Sequence, residues 1–154
     1  MKMITLNEAG KIGVRSALIG SLLFAIVDEF SLMSGEVSII EILVNSFWWV
    51  MFVFLISSIL SVIPGYLGGR IIEGLRKTRN SSKFSLMTIG AILGIIAVVL
   101  ISLLDLYVVL SAHNYWSIKN NPGFPVYINR LIKASIIAAL MGSWSGFLIA
   151  DRDS

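Results

Sequence analysis

Two adjacent carboxylates, Asp28 and Glu29, interrupt the apolar stretch SLLFAIVDEFSLM at residues 21–33. Acids in apolar surroundings carry a proton, hold a cation or pair with a base, because an uncompensated charge there is costly. The bases suited to meet them lie late in the chain, Arg130 and Lys133 one turn apart, and a third acid, Asp105, precedes them. Asp28, Glu29, Asp105, Arg130 and Lys133 are therefore read as one charged cluster within a membrane. Neighbouring helical residues point about 100° apart, so one acid of the doublet, not both, is expected to reach Lys133. The other is expected to snorkel outward or to meet the Asp105 region. If the cluster is functional, a carboxylate in it carries a proton or binds a cation; otherwise it is an ion pair that fixes helix register.

Other chemistries are poorly provided for. Cysteine is absent and histidine occurs once, at His113, which removes disulfides, thiolate nucleophiles, thiolate metal sites and bis-histidine haem. No ligand spacing suits a metal, no glycine loop has the Walker pattern, and no Ser/His/Asp set lies in plausible mutual reach. Catalysis, a metal and a cofactor are not expected. Gly65, Gly68 and Gly69 read as packing and kink residues.

The chain that must position the cluster has 154 residues, 56% hydrophobic and only 14% charged, with a mean hydropathy of +0.88. Soluble domains run near 45–50% apolar and about 25% charged. The apolar residues gather into four blocks, at about 12–33, 45–67, 84–110 and 128–150. Each approaches or exceeds the roughly 20 residues needed to cross about 30 Å of hydrocarbon, and lipid leaves helix as the way to satisfy the backbone. The expected fold is all-α: a single polytopic membrane domain, residues 1–154, forming a four-transmembrane-helix bundle with short loops. The basic N-terminal flank and the stretch Ser16–Val27 imitate a signal peptide, but no small-residue cleavage pattern follows, so an uncleaved first span is expected.

Charge sets the expected orientation. Lys2, Lys11, Arg15, Arg70, Arg76, Lys77, Arg79, Lys83 and Arg152 fall on one side, against Lys119, Arg130 and Lys133 on the other. By the positive-inside rule both termini and the middle loop are cytoplasmic, as in an integral protein of a prokaryotic cytoplasmic membrane. Phe47, Trp48, Trp49, Tyr66 and Tyr127 sit where interfacial aromatics belong. Residues 35–46 are expected to form a short interfacial helix, and residues 113–129 an outer loop with turn signals at Asn121-Pro122-Gly123 and Pro125. The basic loop of Arg70, Arg76, Lys77, Arg79 and Lys83 is topogenic and suits anionic lipid. It has no interleaved aromatics, so nucleic acid is not an expected partner.

Close helix contact in lipid relies on small residues. They recur every four positions: Gly13, Ala17, Ser21 and Ala25; Ser57, Ser61, Gly65 and Gly69; Gly90 and Gly94; Ala134, Ala138, Gly142, Gly146 and Ala150. The last ridge is the longest, so the fourth helix is expected to be the most tightly packed, against its own bundle or a partner subunit. Pro64-Gly65 predicts a kink, with Ser57, Ser58 and Ser61 placed to satisfy freed carbonyls. Two pairs of segments hint at internal duplication: SALIGSLL (16–23) with LMTIGAIL (86–93), and PGYLGGR (64–70) with SGFLIADR (145–152).

Depth follows from helix rise. Thirteen residues separate Arg15 from Asp28, about 20 Å, which puts the doublet roughly a turn below the outer boundary. Eighteen separate Lys133 from Asp151, about 27 Å, so Lys133 enters the outer edge of the hydrocarbon. The function expected from these features is non-catalytic. The protein is an accessory or assembly subunit that packs against other membrane subunits or itself, surrounded by lipid. The alternative is a small channel or secondary transporter working as an oligomer through the charged cluster.

Overall fold

The computed structural model describes residues 5–32, 39–79, 81–112 and 123–151, with side chains for most of them. They form four helices: α1 (Leu6–Leu32), α2 (Ile39–Arg79), α3 (Lys83–Ala112) and α4 (Gly123–Asp151). Each contains a stretch long and apolar enough to cross a membrane, at Asn7–Asp28, Phe47–Thr78, Lys83–Leu103 and Tyr127–Asp151.

Local sequence explains the helix starts. Thr5 and Glu8 form a capping box: Thr5 N–H donates to Glu8 Oε2 at 3.0 Å and Glu8 N–H donates to Thr5 Oγ1 at 3.2 Å. This signal lies ahead of the first apolar block and starts α1 earlier than hydropathy suggests. Ser82 caps α3, accepting from Ser85 N–H at 3.2 Å. α4 begins at Gly123 and takes Pro125 in its first turn, where a missing N–H costs nothing. The expected loop therefore ends earlier than residue 129, and residues 113–122 lie outside the described set.

α2 departs most from expectation. From Ile39 the segment anticipated as a separate interfacial helix is continuous with α2, which runs 41 residues through Pro64 to Arg79. The basic segment is likewise helical: Arg70, Arg76, Lys77 and Arg79 ride on α2, and Lys83 opens α3. Near Pro64, Ser61 Oγ donates to the Ser58 carbonyl at 3.2 Å and lies 3.0 Å from Ser21 Oγ.

The helices associate as two tight hairpins, α1–α2 and α3–α4, that meet more loosely through α1–α4 and α2–α3. Glycine closes each hairpin. A Cβ at Gly13 would collide with the Gly65 carbonyl oxygen, and one at Gly69 with the carbonyl of Ala9. In the second hairpin Gly90 and Gly142 lie against each other's carbonyls, Gly94 against Ala138 and Gly146 against Leu86. The two hairpins repeat one register. Gly65 meets Ala17 as Gly146 meets Met87, and Ser61 meets Ser21 as Gly142 meets Ala91. These pairs follow the alignment suggested by the repeated segments.

α1, not α4, is the most buried helix. It carries two small-residue ridges rather than one. Gly13, Ala17 and Ser21 face α2, while Gly20 meets Met141 and Ile137 of α4. The start of α1 and the end of α4 lie at one end of the bundle, the termini end, where Ala9, Ile12, Ile72, Leu86 and Ile149 form the core. There Tyr66 Oη donates to Asn7 Oδ1 at 3.3 Å, and Lys83 pairs with Asp151.

Candidate functional site

Asp28 lies on the penultimate turn of α1 and is 2% exposed. Its partner is Arg130, not Lys133. Arg130 Nε donates to Oδ1 at 3.0 Å, and Nη2 lies 3.0 Å from Oδ2. The planar guanidinium matches a carboxylate with two parallel bonds, which an ammonium cannot do. Lys133 is three residues on, about 60° round the helix from Arg130. It is half-buried, with no ion pair among the described residues. Arg130 also stands over the Trp49 ring at 5.9 Å from its centroid, within cation–π range. Sequence reasoning made Trp49 an interfacial anchor and missed this second role. Glu29 and Asp105 fall on α1 and α3, but their side chains lie outside the described residues.

The Asp28–Arg130 bond joins the two hairpins. The other named hydrogen bonds between helices stay within one hairpin: Ser21 with Ser61, Tyr66 with Asn7, and Lys83 with Asp151. The same holds for Tyr127 with the Ser102 carbonyl (2.7 Å) and Ser143 with the Met87 carbonyl (3.2 Å). Of the expected charged cluster, the Asp28–Arg130 pair therefore bridges the looser seam.

Beneath this pair the seam opens into a slot of about 380 Å³ lined by all four helices. It runs from Gly69 and Ile72 at the termini end to Tyr127 and Arg130 at the other. Its walls carry the small residues expected to bring helices together: Gly65, Gly90, Gly94, Ala134, Ala138, Gly142 and Ser61 among them. The ridges let the helices of each hairpin touch, and the same lack of side-chain bulk leaves space between hairpins. Pro64 lines the slot too. Gly146 packs on Leu86 and Ala150 packs beside the core, so the far end of the α4 ridge is structural. Ser145, which sequence reasoning did not single out, lines the slot at 4% exposure with an unpartnered hydroxyl.

At the termini end the basic residues are partly neutralised. Glu73 is fully buried; Arg76 binds it through Nε–Oε2 at 2.7 Å and Nη2–Oε1 at 2.9 Å, and Lys77 lies 3.3 Å away. Arg70 stands over the Tyr66 ring, 5.7 Å from its centroid. The Arg79 side chain lies outside the described residues. Glu73→Ala is expected to lower stability by about 2 kcal/mol, since charged hydrogen bonds contribute about 1.5–3 kcal/mol and freed Arg76 can turn to solvent. Lys83→Ala, which breaks a half-exposed pair, is expected to cost under about 1 kcal/mol. Unfolding curves in detergent compare the two.

No known protein-family model, curated protein or solved structure matches this chain.

Proposed function

We propose that this chain is a non-catalytic integral membrane protein that binds and carries a small, largely apolar molecule in the slot between its hairpins. The slot is the observation that carries the reading. Its volume of about 380 Å³ falls within the roughly 300–1,000 Å³ usual for small-ligand sites. The two hairpins supply a means of working it: each is held rigid by backbone contact, and the looser seam lets one rock against the other, as repeats do in membrane carriers. Asp28–Arg130 then closes the slot at one end. The lysine and arginine excess at the termini end supports a cytoplasmic placement of that end.

The carrier reading is preferred to an assembly subunit because most of the described glycines pack inside the chain. Among the described glycines, Gly68 and Gly74 alone have no neighbour within reach of an added Cβ, and Gly68 lines the slot. An ion path is also disfavoured, since Arg130 is the charged residue among those lining the slot and is engaged by Asp28.

Native mass spectrometry of the protein, extracted in mild detergent, tests the proposal. The expected spectrum shows a small molecule bound per chain and lost from an Ala134→Phe variant. Ligand-free protein held at fixed stoichiometry with other subunits would return the assembly reading.

A further inference from the structure

Ser145 differs from most of the hydroxyls whose bonds are described. Ser21, Ser61, Thr78 and Thr88 each bond to a carbonyl of their own helix, the usual outlet for a hydroxyl inside a helix. Ser143 donates across to α3. Ser145 does neither, although it is 4% exposed, and a buried hydroxyl without a partner is costly. Ser58 is the other fully buried hydroxyl without a partner among the described residues, and it does not line the slot. Across the α1–α4 contact, Gly20 meets Met141. The helices are antiparallel, so Ser16 stands level with Ser145, and it too is buried and lines the slot. Two serines thus stand at one level of a largely apolar slot.

Shape and charge narrow what belongs there. On α2 the lining runs from Ser57 to Ile72, about 22 Å of helix. A volume of about 380 Å³ drawn out over that length makes the slot long rather than round. That elongated shape suits a chain-like ligand better than a compact solute or a fused-ring body. A charged group placed at mid-depth would meet no free counter-charge, because Arg130 is committed to Asp28.

We propose that the slot binds one single-chain neutral lipid, its hydroxyl or carbonyl on Ser145 and Ser16 and its chain running along the bundle towards Tyr127 and Arg130. This rests on the carrier reading above and names its ligand. The hydroxyl pair satisfies the polar end, and the glycine and alanine walls take the chain.

Photolabelling of the full chain in phosphatidylcholine nanodiscs tests it. One probe is hexadecanol with a mid-chain diazirine; the other is hexadecanoic acid with the same diazirine. Hexadecanol is expected to mark slot residues such as Ile101, Leu131 and Met141. Ala134→Phe is expected to cut that labelling at least about tenfold, and Ser145→Ala about fivefold, the effect of one lost hydrogen bond. The acid is expected to label the slot at least about fivefold less than the alcohol. Val98→Phe, which also fills the slot, replaces Ala134→Phe if that variant does not fold. Labels confined to outward residues such as Ile63 and Leu140, or labelling untouched by slot filling, would overturn both this proposal and the carrier reading. Equal slot labelling by acid and alcohol would overturn the neutral-lipid assignment and leave the carrier reading standing. An unchanged Ser145→Ala would overturn the polar anchor.

Discussion

Gly13→Val is expected to lose most of its folded population. A Cβ at Gly13 would already overlap the Gly65 carbonyl, and the neighbouring Gly69 amide would lie 3.1 Å away. Both obstacles are backbone, so no side chain can swing aside and α1 must separate from α2 along its length. Overpacking a well-formed core costs about 1–3 kcal/mol where side chains yield, and here a cost above about 3 kcal/mol is expected. Gly142→Val should behave alike, because Gly142 lies against the Gly90 carbonyl in the second hairpin. Gly74→Ala supplies the contrast: nothing lies within 4 Å of its added Cβ, and replacing a helical glycine gains up to about 1 kcal/mol. Thermal unfolding in one detergent, read for all three, separates a steric effect from a general intolerance of substitution.

Arg130→Met is the second large effect. It leaves the Asp28 carboxylate, 2% exposed, without the two bonds that compensate its burial. Removing one member of a buried pair costs about 3–5 kcal/mol; the Arg130 side chain is 37% exposed, so the lower end, about 3 kcal/mol, is expected. Replacing both members, as Asp28→Leu with Arg130→Met, should recover most of the loss, because no buried charge is then left alone. Lys133→Met should change stability by less than about 1 kcal/mol. Equilibrium unfolding of the wild type, Arg130→Met, Asp28→Leu and the double variant forms the required cycle, with Lys133→Met as the control. Equal losses for Arg130→Met and Lys133→Met would show that Asp28 draws on both cations, contrary to the geometry.

These two sites also show what was legible in the sequence. Four apolar blocks and four-residue spacing of small residues pointed to four helices and to Gly13, Gly65, Gly90 and Gly142 as contacts, since both signals depend on period alone. The depth count brought Asp28 to the right end of α4, because rise per residue is fixed. It chose Lys133 over Arg130 because rise says nothing about azimuth, and 60° decides which side chain crosses the seam. The burial of α1 was missed for a related reason. Its second ridge, containing Ser16 and Gly20, matters only once α4 is known to lie beside it. Helix ends were hidden wherever a polar or basic run stayed helical, as from Arg70 to Arg79, because hydropathy marks lipid contact and not hydrogen bonding. The slot was not legible at all. It is a gap between two packed units, and no residue pattern encodes a gap directly. Glu73 could have been suspected from its place among cations, with Arg76 and Lys77 one turn on.

A crystal structure grown from a lipid mesophase, resolved to side chains, tests the central claim most directly. The account predicts two glycine-closed hairpins bridged by Asp28 and Arg130, with elongated density between them ending beside Ser145. Hairpins pressed together with no intervening space, and the Ser145 hydroxyl bonded to a protein atom, would contradict it.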